Sequence, residues 1–200
     1  RGLNMKEYNL IVIGTGSAMD IVNAVIQDDP HVKVAVIDKD EPGGICLTRG
    51  CIPSKILLYP AELIRTMEGA GEFGIGINIE KIDFQFIMER MRTIIYRDIN
   101  LIREGLSHSK NIDFFPTIAQ FTAPYTLKVG ENIITSKMIF LCTGSKPVIP
   151  PIKGLEKVGY HTSDTMLAMN RLPESIAIIG GGYIAAEYGH FFSAMGSKVT

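Results

Sequence analysis

Two glycine-rich segments, each placed between an apolar run and the start of a helix, constrain the fold of this chain more than any other feature. The first is Gly-Thr-Gly at residues 14–16, after the mostly apolar run 8–13, and the second is Gly-Gly-Gly at residues 180–182, after the mostly apolar run 175–179. A strand, a tight glycine turn and a helix open a βαβ unit, and glycine lets backbone amides approach a pyrophosphate there. The sequence therefore predicts an α/β chain with two such units.

The two segments match the dinucleotide-binding pattern to different degrees. In the first, Met19 stands where a third small residue is usual, so this loop taken alone is also compatible with a simple strand–helix turn. Asp38 favours nucleotide binding, because it ends the next apolar run, where a carboxylate can accept a hydrogen bond from a ribose hydroxyl. In the second, Ala185 occupies the third small position and permits close packing of helix on strand.

The rest of the chain predicts a mixture of helices and short strands. Residues 51–67 and 84–106 predict helices, and the second of these is long and amphipathic. Short strands are expected between residues 112 and 141, the first over residues 113–121. The second βαβ unit stops at residue 200 with only one strand and one helix complete, so we interpret the chain as a piece of a longer protein.

Composition and charge argue against several classes of partner. The formal net charge is −1, so we expect neither nucleic acid nor an anionic membrane surface as a partner. We find no apolar run near the ~18 residues that span a bilayer, and residues 1–4 carry no apolar signal region before Met5. We therefore expect a cytoplasmic protein that starts near Met5, and we expect no bound metal because the histidines lack the spacing of metal ligands.

Two cysteines, Cys46 and Cys51, follow the first βαβ unit and allow three interpretations. A structural disulfide is disfavoured in the reducing cytosol. A zinc site needs more ligands, and the four histidines show no metal spacing. The position after a nucleotide loop and near a helix start favours a redox pair, because thiolates are stabilised there. The third cysteine, Cys142, ends an apolar run and is interpreted as a core thiol.

Taken together, these features resemble the flavin-dependent pyridine nucleotide–disulfide oxidoreductases. The most specific part is residues 43–55, Gly-Gly-Ile-Cys-Leu-Thr-Arg-Gly-Cys-Ile-Pro-Ser-Lys, and the resemblance extends from about residue 5 to residue 200. Residues 142–145, Cys-Thr-Gly-Ser, resemble a strand end of that family with cysteine in place of alanine, and residues 163–173 resemble its connector to the nicotinamide domain.

The resemblance implies a division into three segments. Residues 5–150 would form the first part of a Rossmann-like FAD-binding domain that carries a small β-meander and the redox cysteines. Residues 151–172 would form a connector, and residues 173–200 would begin a second Rossmann-like domain that binds NAD or NADP. The residue that selects between NAD and NADP would follow Thr200.

The resemblance also implies which residues bind the cofactors. The FAD-binding residues would be Gly14, Gly16, Ser17, Asp38, Lys39, Gly44, Ile45, Ala119, Thr143 and Gly144. The nicotinamide cofactor would be lined by Gly180, Gly182, Tyr183 and Ile184. Asp38 is one methylene shorter than the glutamate usual in the family, which leaves room for a water between it and the ribose.

The catalytic residues implied by the resemblance are Cys46, Cys51, Lys55 and Glu187. Cys46 would be the interchange thiol that attacks a substrate disulfide, and Cys51 would face the flavin and form a charge-transfer thiolate. Lys55 and Glu187 would pair beside the flavin and contribute to its binding. From the residues alone, these two are simply charges on two helix faces.

The implied activity is electron transfer between NAD(P)H, FAD, the Cys46–Cys51 disulfide and a small-molecule or lipoyl disulfide, in a homodimer of the full-length protein. Residues 51–55, Cys-Ile-Pro-Ser-Lys, favour dihydrolipoamide dehydrogenase. Residues 180–187 are closer to the NADPH-dependent reductases of the glutathione and mycothione type, and mercuric reductase is a third alternative. A non-enzymatic flavin-binding module is the alternative of another class, and the intact cysteine pair argues against it.

Overall fold

The computed structural model describes residues 5–200 of the chain, which divide into two compact units. One unit comprises the residues up to Thr48 together with Arg97–Lys146, and the other comprises Arg49–Tyr96 together with Pro147–Thr200. None of the helices in residues 5–200 combines the length and the apolar character needed to cross a lipid bilayer. The division into segments 5–150, 151–172 and 173–200 stays a prediction.

A four-stranded parallel sheet forms the centre of the first unit. Its order is β4-β3-β2-β8, with β2 at Leu10–Ile13, β3 at Val34–Ile37, β4 at Ile112–Phe115 and β8 at Ile139–Leu141. The two central strands read as continuous apolar runs because both of their faces are covered. The α/β class predicted from the sequence is confirmed.

The two faces of this sheet pack against different partners. Leu10, Val12, Val34 and Val36 lie in one cluster with Val22, which belongs to helix α1 (Ala18–Asp28). The alternate residues of the same two strands, including Ile11 and Ile37, lie in a second cluster with Leu127, Val129 and Ile134. The side-chain period of two along a strand therefore sends neighbouring residues into separate cores.

The second cluster is covered by a smaller sheet that contains the predicted β-meander. Strands β5 (Ala119–Ala123), β6 (Thr126–Val129) and β7 (Asn132–Thr135) are antiparallel neighbours, and β1 (Met5–Glu7) pairs with β7 in parallel. The single strand expected over residues 113–121 is wrong. It is two strands in different sheets, because the chain leaves β4 at Phe115 and passes through Pro116, which has no amide proton for a strand ladder.

The second unit is built on helices and one short parallel pair of strands. Helix α2 (Gly44–Arg49) belongs to the first unit except for its last residue, whereas α3 (Cys51–Gly69) and the first half of the long helix α4 (Phe84–His108) belong to the second. Strands β9 (Ser175–Ile176) and β10 (Lys198–Val199) flank α5 (Tyr183–Met195) and pair in parallel, so the strand that starts at Lys198 already joins the strand before the second glycine loop.

Aromatic rings of α4 and α5 form part of the core of the second unit. The ring centroids of Phe191 and Phe192 lie 5.3 Å apart, and the ring of Phe84 lies 6.0 Å from that of Phe191. All three side chains are buried, together with Leu57 and Ala61 of α3. Apolar burial on this scale fixes α5, and with it the first turn that follows the second glycine loop.

Candidate functional site

The first glycine loop lies where parallel strands end. Gly14 follows β2, Asp38 follows β3 and Cys142 follows β8. The Gly14 amide donates to the carbonyl of Ile37 at 2.7 Å, and the Cys142 amide donates to the carbonyl of Ile13 at 2.8 Å. Ligands of open α/β sheets bind outside the carboxyl ends of the strands, so this edge is the candidate nucleotide site.

Position 14 requires glycine because of its backbone conformation and because of the strand end that lies against it. Its φ is +114°, a conformation that residues with a side chain rarely adopt. A Cβ at this position would lie 2.1 Å from the carbonyl oxygen of Cys142, far inside van der Waals contact. The loop therefore turns over the end of β8 with only backbone between the two segments.

A second glycine segment meets the first through bare backbone. A Cβ built on Gly44 would lie 2.4 Å from the Cα of Gly16, and a Cβ on Gly144 would lie 2.8 Å from Cδ1 of Ile45. Four residues predicted to bind FAD are thus brought together. Glycine backbones without side chains are what the pyrophosphate of a dinucleotide requires for close approach, so these residues fit FAD.

Asp38 is engaged by the same loop. Its Oδ2 accepts hydrogen bonds from the Thr15 amide at 2.9 Å and from the Thr15 hydroxyl at 2.6 Å. Its Oδ1 accepts a hydrogen bond from the Asp40 amide at 3.0 Å. The Thr15 hydroxyl in turn accepts from the Gly43 amide at 3.1 Å. Buried Thr15 therefore connects the glycine loop, the acidic strand end and the segment before the cysteines.

Sequence reasoning missed the part played by Thr15 and Gly43. A signal for Thr15 was present, because a hydroxyl at the second loop position is well placed to bond a short acidic side chain at the end of the next strand. Gly43 has a φ of +112°, and a Cβ there would lie 2.4 Å from a methyl carbon of Leu47. This residue holds the turn that precedes α2.

The other residues predicted to bind FAD lie around this edge without a close approach of their own. Ser17 is exposed at the start of α1, Lys39 is exposed after Asp38, and Thr143 is exposed after Cys142. Ala119 begins β5 opposite Val129 and is half-buried. Their contacts with a cofactor stay predictions.

Cys46 and Cys51 are joined as a disulfide. Cys46 lies in α2, and Cys51 is the first residue of α3, directly after Gly50. A helix N-terminus favours a thiolate over a thiol, because the free backbone amides carry a partial positive charge. Cys142 is the free cysteine of the described chain and is half-buried against the cluster around Leu10, as the core interpretation expects.

Lys55 lies one turn after Cys51 on α3, and its Nζ forms an ion pair with Oε1 of Glu187 on α5. The pairing expected from the resemblance is therefore present in the structure, whereas its role beside a flavin stays a proposal. The hydrogen bond from Lys55, and then that from Ser54, lower the pKa of the Glu187 carboxyl. Sequence reasoning missed Ser54, which directly precedes Lys55 on α3 and is buried.

The second glycine loop is open. Gly180 has a φ of +133°, and a Cβ built on Gly180 or Gly182 would meet no atom within 4 Å beyond the chain neighbours. Tyr183, the first residue of α5, is 78% exposed, and Ile184 is also exposed. The residues predicted to line a nicotinamide cofactor therefore share one exposed helix start.

An open groove lies beside Cys51 in the second unit. Helices α3 and α4 line it with Cys51, Ile52, Lys55, Ile56, Tyr59, Arg90 and Ile94. Its surface is largely apolar, with two cationic side chains at hand. The sequence analysis did not identify Tyr59 or Arg90, because their proximity depends on the packing of two helices.

Comparisons with known proteins agree with this geometry. Residues 8–200 match the family model described as pyridine nucleotide-disulphide oxidoreductase. Mycothione reductase of Mycobacterium tuberculosis is 35% identical over 206 residues, which covers 98% of this chain and 43% of that protein. Dihydrolipoyl dehydrogenase of Chlamydia muridarum is 34% identical over 200 residues, which covers 98% of this chain and 43% of that protein.

A solved structure is similar as well. The HOCl-induced flavoprotein disulfide reductase RclA from Escherichia coli superposes with a TM-score of 0.81 at 31% sequence identity. That superposition covers 96% of this chain and 41% of the RclA chain. The chain thus spans less than half the length of each of these three relatives.

Proposed function

Because the chain belongs to the pyridine nucleotide-disulphide oxidoreductase family, as its sequence resemblance predicts, we propose that its protein moves electrons between NAD(P)H and a substrate disulfide through Cys46 and Cys51. The family uses FAD and NAD(P)H. The observation that carries the proposal is the Cys46–Cys51 disulfide, which has Cys51 at the N-terminus of α3 and Lys55 one turn further along.

The binding roles proposed for the chain follow from its two glycine loops. Bare backbone at Gly16 and Gly44 would admit the pyrophosphate of FAD, and Asp38 would accept a hydrogen bond from its adenosine ribose. The start of α5, at Gly182 and Tyr183, would receive the nicotinamide cofactor. When bound, FAD supplies the conversion of a hydride from NAD(P)H into two electrons for the disulfide.

The thiols would act in a fixed order. Two electrons and two protons open the Cys46–Cys51 bond and give two thiols. The Cys46 thiolate then attacks one sulfur of the substrate disulfide, forms a mixed disulfide and releases the first substrate thiol. The Cys51 thiolate attacks the Cys46 sulfur, restores the original disulfide and releases the second substrate thiol. With a dithiol substrate and NAD, the same steps run in reverse.

Lys55 would stabilise the Cys51 thiolate and lie beside the cofactor. Lys55 follows Cys51 by one turn of α3, and its ammonium group forms the ion pair with Glu187 of α5. A cation near a thiol lowers the thiol's pKa, so the Lys55 ammonium would raise the fraction of Cys51 present as thiolate.

The substrate that we propose first is dihydrolipoamide, with NAD as the oxidant. Support comes from the sequence Cys-Ile-Pro-Ser-Lys at residues 51–55 and from the 34% identity to dihydrolipoyl dehydrogenase. A second candidate is a low-molecular-weight disulfide reduced with NADPH. Support for it comes from residues 180–187 and from the 35% identity to mycothione reductase.

The test compares substrates on the complete protein. We expect lipoamide with NADH to give a kcat/KM at least about tenfold above that of glutathione disulfide or mycothione disulfide with NADPH. The reverse ranking would favour the second candidate, and mercury-dependent oxidation of NADPH alone would favour mercuric reductase. Cys46→Ser and Cys51→Ser should each abolish disulfide turnover.

One spectroscopic control separates an enzyme from a flavin-binding module. If Cys51 faces the flavin, Cys51→Ser should remove the long-wavelength absorbance of the two-electron-reduced protein, whereas Cys46→Ser should retain it. An unchanged absorbance in Cys51→Ser would favour the non-enzymatic module. The oxidation of NADH or NADPH by ferricyanide, which bypasses both thiols, serves as the measure that flavin is still bound in each variant.

Location and assembly belong to the same proposal. We expect a cytosolic enzyme, since a reducing compartment suits a redox disulfide that is opened in each cycle. We also expect the complete protein to be a homodimer, as is typical of the family. Light scattering coupled to gel filtration would measure the mass, and a monomer that retains full turnover would contradict the proposed assembly.

A further inference from the structure

The Asp38 carboxylate has few acceptor positions left for a ligand. An ionised carboxylate offers about four lone pairs, two on each oxygen. The Thr15 amide and the Thr15 hydroxyl take both positions on Oδ2, and the Asp40 amide takes one of the two on Oδ1. One acceptor position, on Oδ1, therefore remains.

Thr15 is held so that its hydroxyl points to Asp38. The side chain is buried, and its oxygen accepts the Gly43 amide at 3.1 Å. That contact directs the hydroxyl proton away from Gly43 and towards Oδ2, where the distance is 2.6 Å. The 2.6 Å distance is at the short end for a hydroxyl donating to a carboxylate, which marks a strong contact.

The Asp38 side chain is also too short to place its carboxylate beyond the loop that binds it. Its Oδ2 is bonded to Thr15 of the glycine loop after β2, and its Oδ1 is bonded to the Asp40 amide two residues further along its own segment. A longer acidic side chain could place its carboxylate beyond the loop and accept from two neighbouring hydroxyls. Asp38 keeps its carboxylate against the loop instead.

We propose that Asp38 recognises the adenosine ribose of FAD through one hydroxyl only, and that Thr15 is the positioning residue which imposes this limit. The inference rests on the proposed function, since it takes FAD as the ligand. It predicts that the protein discriminates between the two ribose hydroxyls, whereas a carboxylate that accepts from both would need both equally.

The test measures binding on the complete protein after its flavin has been removed. The ligands are FAD and two FAD analogues whose adenosine ribose lacks either the 2′ or the 3′ hydroxyl, followed by flavin fluorescence. We expect one analogue to bind about tenfold or more weaker than FAD, the loss of one hydrogen bond to a charged group, and the other to bind within about twofold of FAD.

Variants at Thr15 and Asp38 identify the cause. Thr15→Val keeps the side-chain shape but frees one position on Oδ2, so both analogues should become weaker than FAD. Thr15→Ser keeps the hydroxyl and should retain the wild-type pattern. Asp38→Ala should remove the discrimination altogether. If Thr15→Val does not fold, the wild-type and Thr15→Ser measurements still decide the question.

The possible failures are separable. Equal weakening of both analogues in the wild-type protein would mean that two hydroxyls are recognised, and equal affinity for all three ligands would mean that Asp38 recognises neither. Either result overturns the inference and leaves the proposed electron transfer through Cys46 and Cys51 standing; the second result also removes the proposed role of Asp38 at the ribose. Failure to bind FAD itself would overturn the proposed function.

Discussion

The loop at residues 14–16 lies against other backbone segments, whereas the loop at residues 180–182 has open space beside each of its glycines. In the first, Gly14 meets the carbonyl of Cys142 and Gly16 meets the Cα of Gly44. The second loop has the more regular sequence, three consecutive glycines, yet its neighbours constrain it less. The need for glycine therefore comes from what surrounds a loop and not from how well the loop matches a pattern.

The second loop is fixed by the packing of α5, the helix that follows it. Phe191 and Phe192 are buried on α5, and Tyr188 is buried on the same helix. Burial, followed by the charges of Glu187 and Asp164, raises the pKa of Tyr188 to about 12. The first loop is thus fixed by its own contacts, and the second by the packing of α5.

The largest expected effect tests how strongly the buried aromatic residues fix α5. Phe191→Ala should lower the free energy of unfolding by about 3–5 kcal/mol, because it empties a fully buried site beside two other aromatic rings. Urea denaturation of the complete protein measures it. Tyr183→Ala, on the same helix but 78% exposed, is the matched control and should change stability by no more than about 0.5 kcal/mol. Similar losses of unfolding free energy in both variants would contradict the idea that buried aromatic packing fixes α5.

The next effect tests the first loop directly. Gly14→Ala should cost about 3 kcal/mol, since it adds backbone strain at a positive φ and a clash with the Cys142 carbonyl. Gly182→Ala is the control, because its φ is −83° and no atom lies near the added methyl group. We expect a change of about 0.5 kcal/mol there. Chemical denaturation would refute the comparison if the two alanines cost the same.

A smaller effect sharpens the account of the first loop's surroundings. Gly144→Ala should cost about 2 kcal/mol, partly from a φ of +69° and partly from contact with Cδ1 of Ile45. Ile45→Val removes that methyl group, so the double variant should recover about 1 kcal/mol of the loss. Additive losses in the double-mutant cycle would show that the strain lies in the backbone alone.

The smallest effect concerns the ion pair between Lys55 of α3 and Glu187 of α5. Because the pKa of Glu187 is lowered in the folded protein, its ionised form stabilises the fold above the ordinary glutamate pKa, and this contribution is lost as the pH falls through the lowered value. Glu187→Gln should cost less than about 1 kcal/mol at pH 7, since Lys55 is largely exposed. The cost should shrink in acid.

The control for this titration removes the partner. In a Lys55→Met background, Glu187→Gln should have little effect on unfolding at pH 7. A cost for Glu187→Gln that stays constant from neutral pH into acid would contradict the ion-pair explanation, because a protonated glutamic acid no longer pairs with an ammonium group.

The sequence predicted the elements whose signals are local. Glycine turns and apolar runs identified β2, α1 and α5, because turn chemistry and periodicity act within a few residues. The apolar pattern of residues 113–121 continued through Pro116 and concealed a change of sheet. That change depends on the pairing of β4 with β3 and of β5 with β6, which are contacts distant in the chain.

The residues of the candidate site also fall into those that the sequence could identify and those that depend on contacts distant in the chain. The resemblance identified Lys55 and Glu187 as a pair, and the structure joins them. The hydrogen bonds of Thr15 were not predicted, since they require residues 15, 38 and 43 to meet, and a single sequence does not state which loops are neighbours. The cofactor contacts of the remaining site residues stay predictions.

The parallel sheet of the first unit also imposes an order of events during synthesis. Ile11 of β2 pairs with Ala35 on one side and with Ile139 on the other, so β2 gains its second neighbour only after about 100 further residues beyond β3 have been made. At usual rates of translation, the newly made β2–β3 pair would wait on the order of ten seconds with an apolar edge unpaired. That interval is an opportunity for a chaperone to bind and for a neighbouring nascent chain to aggregate.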